Sequence, residues 1–289
     1  MSTVLTKAPT ALTAPNQIVE VDGRDLAYRT FGTGPNLVLC VRLRGTMDMW
    51  DPLFLDLLAE NYTVTVFDYS GLGYSTGTPS YGKAEMAKDV NDLVDALGFD
   101  KVIIGGWSLG GFAAMVFAAM YPEKVSHVLA IATMPPGLMA KPFEQLFFET
   151  AGKPEYSTED EYILFFEPNS ERSKRLADES LARIAARVEV KDRHTPSEVF
   201  MTSVAASSDP TSPFPDPDGT YGDFYKTTTI PVLALSGDHD IIFPVESWYA
   251  LNDIWPTLFV VTFPESGHGP QHQYPAMAAE MINSFITHS

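Results

Sequence analysis

Apolar positions along the chain follow two alternating rhythms. Ile18-Val19-Glu20-Val21 and Leu26-Ala27-Tyr28-Arg29 flank a turn at Asp22-Gly23-Arg24 and predict a β-hairpin. Residues 37–41 are a continuous apolar run, as expected of a strand buried on both faces. Asp51 then suits the N-cap of a helix and Pro52 its first position. Residues 63–67 form a β-branched strand. Across 83–97, Met86, Val90, Leu93, Val94 and Leu97 share one helical face, and Gly98 ends it. A strand at 102–104, a helix at 109–121 closed by Pro122, and a strand at 125–131 follow.

Strands alternating with helices predict a mostly parallel sheet with helices on both faces. The alternation stops between about 135 and 229. Helical periodicity dominates there, at 144–148, 161–166, 174–188 and 198–205, with Pro/Ser/Asp/Gly-rich breaks such as 208–222. Strands return at 230–235 and 258–263, and a last helix starts at Pro275. The expected organisation is a loose tail over 1–16, an α/β core over 17–134 and 230–289, and a helical insertion over 135–229.

Composition narrows the function classes. The 289 residues carry a formal net charge of −18, which repels phosphate backbones and anionic lipid headgroups, so neither nucleic acid nor a membrane surface is expected as a partner. A small-molecule substrate is the expected partner, with a homodimer left open. Cys40 is the single cysteine, so no intrachain disulfide can form, and it reads as a small buried hydrophobe. The Ser/Thr/Ala/Pro-rich start has no apolar core of a signal peptide, and no apolar run approaches the about 20 residues of a membrane span. A cytoplasmic protein is expected.

The chemistry centres on Gly106-Trp107-Ser108-Leu109-Gly110, between a strand and a helix. Gly-x-Ser-x-Gly in that context is a strained turn that lifts a serine hydroxyl to the carboxyl edge of a sheet. A hydroxyl needs a base to become a nucleophile. His268, in Ser266-Gly267-His268-Gly269 after the last strand, is the candidate among six histidines, on what reads as an exposed loop. A carboxylate must orient that imidazole. Asp240, in Gly237-Asp238-His239-Asp240, is preferred, since Asp238 comes earlier in the turn and can cap it. A metal site from Asp240, His268 and His272 is set aside because Gly269-Pro270 interrupts a helix. A dinucleotide reading of Gly71-Leu72-Gly73 fails because Thr76 stands where a third glycine is needed. No cofactor or metal is expected.

These segments, with Asp68-Tyr69-Ser70-Gly71-Leu72-Gly73-Tyr74-Ser75, resemble the α/β-hydrolase superfamily over about residues 17–288. The resemblance implies the α/β-hydrolase fold with a helical cap, Ser108 as nucleophile, His268 as base and Asp240 as acid. A serine at the elbow argues against the dehalogenase and epoxide-hydrolase branches, which attack through a carboxylate. The likeness is nearest to capped esterases, lactonases and carbon–carbon-bond hydrolases. It implies cleavage of an ester or lactone. Carbon–carbon cleavage, perhydrolysis and a non-catalytic binding role on the same fold stay open.

One segment departs from the family. Where many members carry His-Gly, this chain has Val41-Arg42-Leu43-Arg44-Gly45. Counting back from Trp50 makes Leu43 N–H one oxyanion donor, with Leu109 N–H the other; a shifted register substitutes Arg44. Arg42 and Arg44 either hold their own loop, through Asp48, Asp51 or Asp68, or face the pocket and bind substrate. Trp107, beside the nucleophile, is a further candidate contact. Met134, Met139, Phe143, Phe147, Phe148, Tyr162, Phe165, Phe166, Phe200 and Met201 make the insertion apolar, which predicts a moderately hydrophobic substrate.

Overall fold

The computed structural model describes residues 10–80, 82–188 and 214–289. Eight strands form one sheet in the order β1-β2-β4-β3-β5-β6-β7-β8. They are β1 (Gln17–Val21), β2 (Arg24–Gly32), β3 (Asn36–Cys40), β4 (Thr63–Phe67), β5 (Val102–Trp107), β6 (Val125–Ile131), β7 (Val232–Gly237) and β8 (Leu258–Phe263). The hairpin and the β2/β4 pair are antiparallel; every pairing from β4 to β8 is parallel. The chain enters the parallel part at β3, moves outward to β4, then returns to the other side of β3 with β5. The strand order therefore reverses between β3 and β5, where a crevice opens at the carboxyl ends.

Burial follows the sequence pattern. β5 and β7 are buried at all six positions, while the edge strand β1 alternates between half-buried and exposed residues. Helices α1 (Pro52–Ala59), α2 (Lys83–Ala96) and α3 (Leu109–Met120) link the strands. Asp51 caps α1 by accepting from Leu53 N–H at 2.9 Å. α3 is almost wholly buried, as a helix apolar on all sides must be. Among the described residues no helix is long and apolar enough to cross a membrane.

The insertion contains α4 (Gln145–Ala151), α5 (Thr158–Phe165), α6 (Glu171–Ala185) and α7 (Thr220–Thr227). The helix expected at 198–205, with Phe200 and Met201, lies outside the described residues. α7 packs on the core: Tyr225 Oη donates to Met115 O at 2.8 Å, from α7 to α3. Residues 10–16 do not match the loose tail expected through Asn16. Ala14 is fully buried, and Arg187 donates to the carbonyls of Ala11, Leu12 and Ala14 at 2.8–3.0 Å. A guanidinium presents five donors, which lets one side chain tie down an irregular segment.

Two of the boundaries that differ from expectation show their cause. β5 runs three residues past 104, through both glycines, to Trp107. Gly106 stays in the strand because a Cβ there would lie 2.1 Å from Gly110 O, so α3 can pack back tightly only on a bare backbone. β2 begins at Arg24, before the expected Leu26, because Arg24 and Asp25 already pair with Val21 and Glu20 of β1.

Candidate active site

β5 delivers Ser108 in a conformation that L-residues avoid, φ +58° and ψ −123°. The turn is fixed by Ser108 N–H donating to Ile131 O at 2.9 Å, and Gly111 N–H donating to Ser108 O at 2.8 Å. On the other side, a Cβ on Gly110 would sit 2.1 Å from Cys40 O. The end of β3 is thus pressed against the first turn of α3. The same Cβ would lie 2.6 Å from Val41 O, so the segment leaving β3 runs along the start of α3, where Leu109 N–H opens the helix without an intrahelical acceptor.

Asp240 and His268 meet across the edge formed by β7 and β8. Asp240 Oδ2 lies 2.8 Å from His268 Nδ1, and Asp240 Oδ1 accepts from Ile242 N–H and Phe243 N–H at 2.8 and 3.0 Å. Both side chains are almost fully buried. Asp238, the rival acid, instead accepts from Ser266 N–H at 3.1 Å and shapes the turn. Trp107 Nε1 donates to His268 O at 2.6 Å, tying the His268 loop to the strand that carries Ser108. Among the described residues no hydrogen bond joins Ser108 Oγ to His268. Such bonds are often long without substrate and tighten in the complex.

The His268 loop is not exposed, contrary to expectation: His268 is 1% accessible. Its flanking glycines have a different purpose. A Cβ on Gly267 would lie 2.3 Å from Phe166 O, and one on Gly269 3.0 Å from Phe165 O. The C-terminal end of α5 therefore rests directly on the loop, and the Phe165 ring stacks on the imidazole at 6.2 Å with 27° between planes.

A cavity of about 230 Å³ lies under the inserted helices, walled by Arg42, Met49, Trp107, Tyr156, Glu161, Phe165, Phe166, Leu181, Ile184 and His272. Ser108 and His268 are not themselves in this wall; Trp107, which precedes Ser108, and Phe165, which stacks on His268, are. Of the apolar positions singled out in the insertion, Phe165 and Phe166 reach this wall; Met49, Trp107, Leu181 and Ile184 supply the rest of its apolar surface.

The two arginines part company. Gly45 N–H donates to Arg42 O at 3.0 Å, closing a turn with Leu43 and Arg44 at its centre and Arg44 at φ +60°. Arg42 points into the cavity. Arg44, expected as a substrate contact, does not line it: its guanidinium donates to the carbonyls of Ala151, Lys153 and Pro154 and to Tyr156 Oη at 2.9–3.1 Å. It binds the segment after α4 to the core. The carboxylates that could have held either arginine have other partners. Asp48 pairs with Arg29 at 2.6 Å, Asp51 with Arg183 at 2.7 Å, and Asp68 accepts from Met47 N–H and Tyr74 N–H.

His272, set aside on sequence, enters the site. It lies on a short helix, Pro270–Gln273, and its Nε2 accepts from Asp51 N–H at 3.3 Å. Burial pulls its pKa down to about 4. The unfolded chain takes that proton near 6.5 and the native ring only near 4. The unfolded state thus holds more protons in that window, and stability falls as pH drops through it. Asp68 opposes this, because burial raises its carboxyl to about 6 and the native state then holds the extra proton below that pH. The His272 contribution must therefore be read as a difference. Wild type is expected to lose about 2 kcal/mol relative to His272→Gln between pH 7.5 and pH 5, measured by denaturant unfolding. A flat difference would place the His272 proton where an ordinary histidine has it.

A parallel sheet with a strained serine at its switch point, and a buried His–Asp pair along the same edge, is the architecture of an α/β hydrolase. The alpha/beta hydrolase fold family pattern matches residues 35–275, and the chain belongs to that family. It is 26% identical over 257 residues to the pimeloyl-[acyl-carrier protein] methyl ester esterase of Vibrio campbellii, covering 85% of this chain and 92% of that one. It is 24% identical over 295 residues to an uncharacterised protein of Mycobacterium tuberculosis, covering 93% and 80%. An alpha/beta hydrolase fold protein from Chitinophaga pinensis superposes with a TM-score of 0.80 at 25% identity, covering 97% and 100%.

Proposed function

We propose that the chain is a serine hydrolase that cleaves a carboxylic ester or lactone of a moderately hydrophobic small molecule through an acyl-enzyme. The observation that carries this reading is the closed, buried His268–Asp240 hydrogen bond on the edge where Ser108 stands strained at the strand-to-helix turn. Likeness to a methyl ester esterase over most of both chains supports ester cleavage. The Trp107, Phe165, Phe166, Leu181 and Ile184 side chains in the cavity wall support a moderately hydrophobic substrate.

In this reading His268 takes the Ser108 proton as Oγ attacks the carbonyl carbon. Asp240 holds the proton on Nδ1, so Nε2 is the basic nitrogen, and it stabilises the imidazolium once formed. Leu43 N–H and Leu109 N–H receive the developing oxyanion, each donor contributing about 3 kcal/mol in the transition state. His268 then protonates the leaving oxygen, and water activated by the same nitrogen releases the acid. The inserted helices act as a cap, and Trp107 and Arg42 contact the substrate.

Fluorophosphonate labelling tests the reading. The expected result is a single covalent adduct on the Ser108 peptide, by mass spectrometry. Absence of an adduct on folded protein would favour a non-catalytic binding role.

A further inference from the structure

Arg42 is a buried cation in the cavity wall. Its guanidinium carbon lies 5.2 Å from the Trp107 ring centroid and 4.4 Å from that of Phe165, so one ring from the core and one from the insertion hold it. Nη1 donates to Leu43 O at 2.8 Å, and Nη2 donates to Met49 Sδ at 3.0 Å. The second contact is the informative one. A thioether is a weak acceptor, whereas an anionic oxygen in the same place makes a short, charge-assisted bond. Met49 also lines the cavity, and its unbranched side chain can turn aside for a ligand.

The neighbouring polar groups favour the same ligand. His272 is in the wall, and because Nε2 accepts from Asp51, its neutral ring carries hydrogen on Nδ1 and is a donor. Glu161 lines the same wall from α5, so an anion in the cavity is drawn to Arg42 and His272 and repelled by Glu161. We propose that the Met49-facing edge of Arg42 recognises a carboxylate on the substrate, so that the enzyme acts on esters or lactones that also carry a free acid. The inference rests on the serine-hydrolase reading and names the substrate class for that site.

The experiment compares mono-p-nitrophenyl glutarate with methyl p-nitrophenyl glutarate, which differ only in a methyl group capping the distal acid. Wild type is expected to prefer the free acid in kcat/KM, chiefly through KM. Arg42→Met is expected to lower that preference roughly 10- to 100-fold, the size of a hydrogen bond to a charged group. Arg42→Lys should keep part of it. A wild type without acid preference, or a preference unchanged in Arg42→Met, overturns the proposal. If Arg42→Met fails to fold, wild type and Arg42→Lys decide. A second arm separates recognition from turnover: Ser108→Ala is titrated calorimetrically with monomethyl glutarate and dimethyl glutarate. Tighter binding of the acid supports the proposal, and equal binding overturns it. Hydrolysis by Ser108→Ala at the wild-type rate would sink the serine reading alone, leaving the binding arm to decide on the carboxylate.

Discussion

Ser108→Ala is expected to lower kcat for a p-nitrophenyl ester by a factor on the order of 10⁶, the loss typical of removing a serine nucleophile. Oxyanion donors and binding alone would sustain the residue of activity. The folded state should be nearly unaffected, because only Oγ is lost from a buried position whose backbone bonds to Ile131 and Gly111 do not involve the side chain. Alanine also keeps the Cβ that makes φ +58° costly, so the strain at the elbow is the same in both proteins. Ser108→Gly differs in this respect: it relieves the strain and should be slightly more stable while equally inactive. Steady-state kinetics and thermal unfolding of the three proteins check this. Activity near wild type in Ser108→Ala, at unchanged melting temperature, would remove Ser108 from the mechanism.

What could be read from the sequence depended on how local each constraint is. The positions of the strands along the chain were legible because an apolar run flanked by turn residues declares itself within a few positions, as at residues 37–41. The serine turn was legible for the same reason: the motif is contiguous, and Gly106 is needed by Gly110 four residues on, although Gly110 in turn answers to the distant Cys40 carbonyl. The glycines around His268 looked alike on sequence and were read as marks of an exposed loop. Their cause lies about 100 residues upstream, in the Phe165–Phe166 backbone, and no short window contains it. Arg42 and Arg44 were equally ambiguous. The left-handed turn at Arg44 sends two side chains of the same type to different places, one into the cavity and one to carbonyls of the insertion. His272 was missed because its role comes from Asp51, on the far side of the chain.

The preference for Asp240 over Asp238 has a sharp consequence. Asp240→Asn is expected to lower kcat by about 10⁴ through the tautomer of His268 rather than through the fold. The asparagine carbonyl can still accept from Ile242 N–H and Phe243 N–H, the two bonds that Asp240 Oδ1 accepts. Its amide nitrogen then takes the place of Oδ2, 2.8 Å from His268 Nδ1, and presents hydrogens where a lone pair stood. The imidazole answers by moving its own hydrogen to Nε2, and the nitrogen that should accept the serine proton is occupied. Asp238→Asn makes no such change. Asp238 accepts from a backbone amide, an acceptor role that the asparagine oxygen also fills, so its effect on kcat is expected to stay within about tenfold. Measured together on one ester, with unfolding curves for both, the two variants separate the orienting acid from the turn former. If Asp238→Asn were the more damaging at equal stability, the hydrogen bond to His268 would not be the one that catalysis uses.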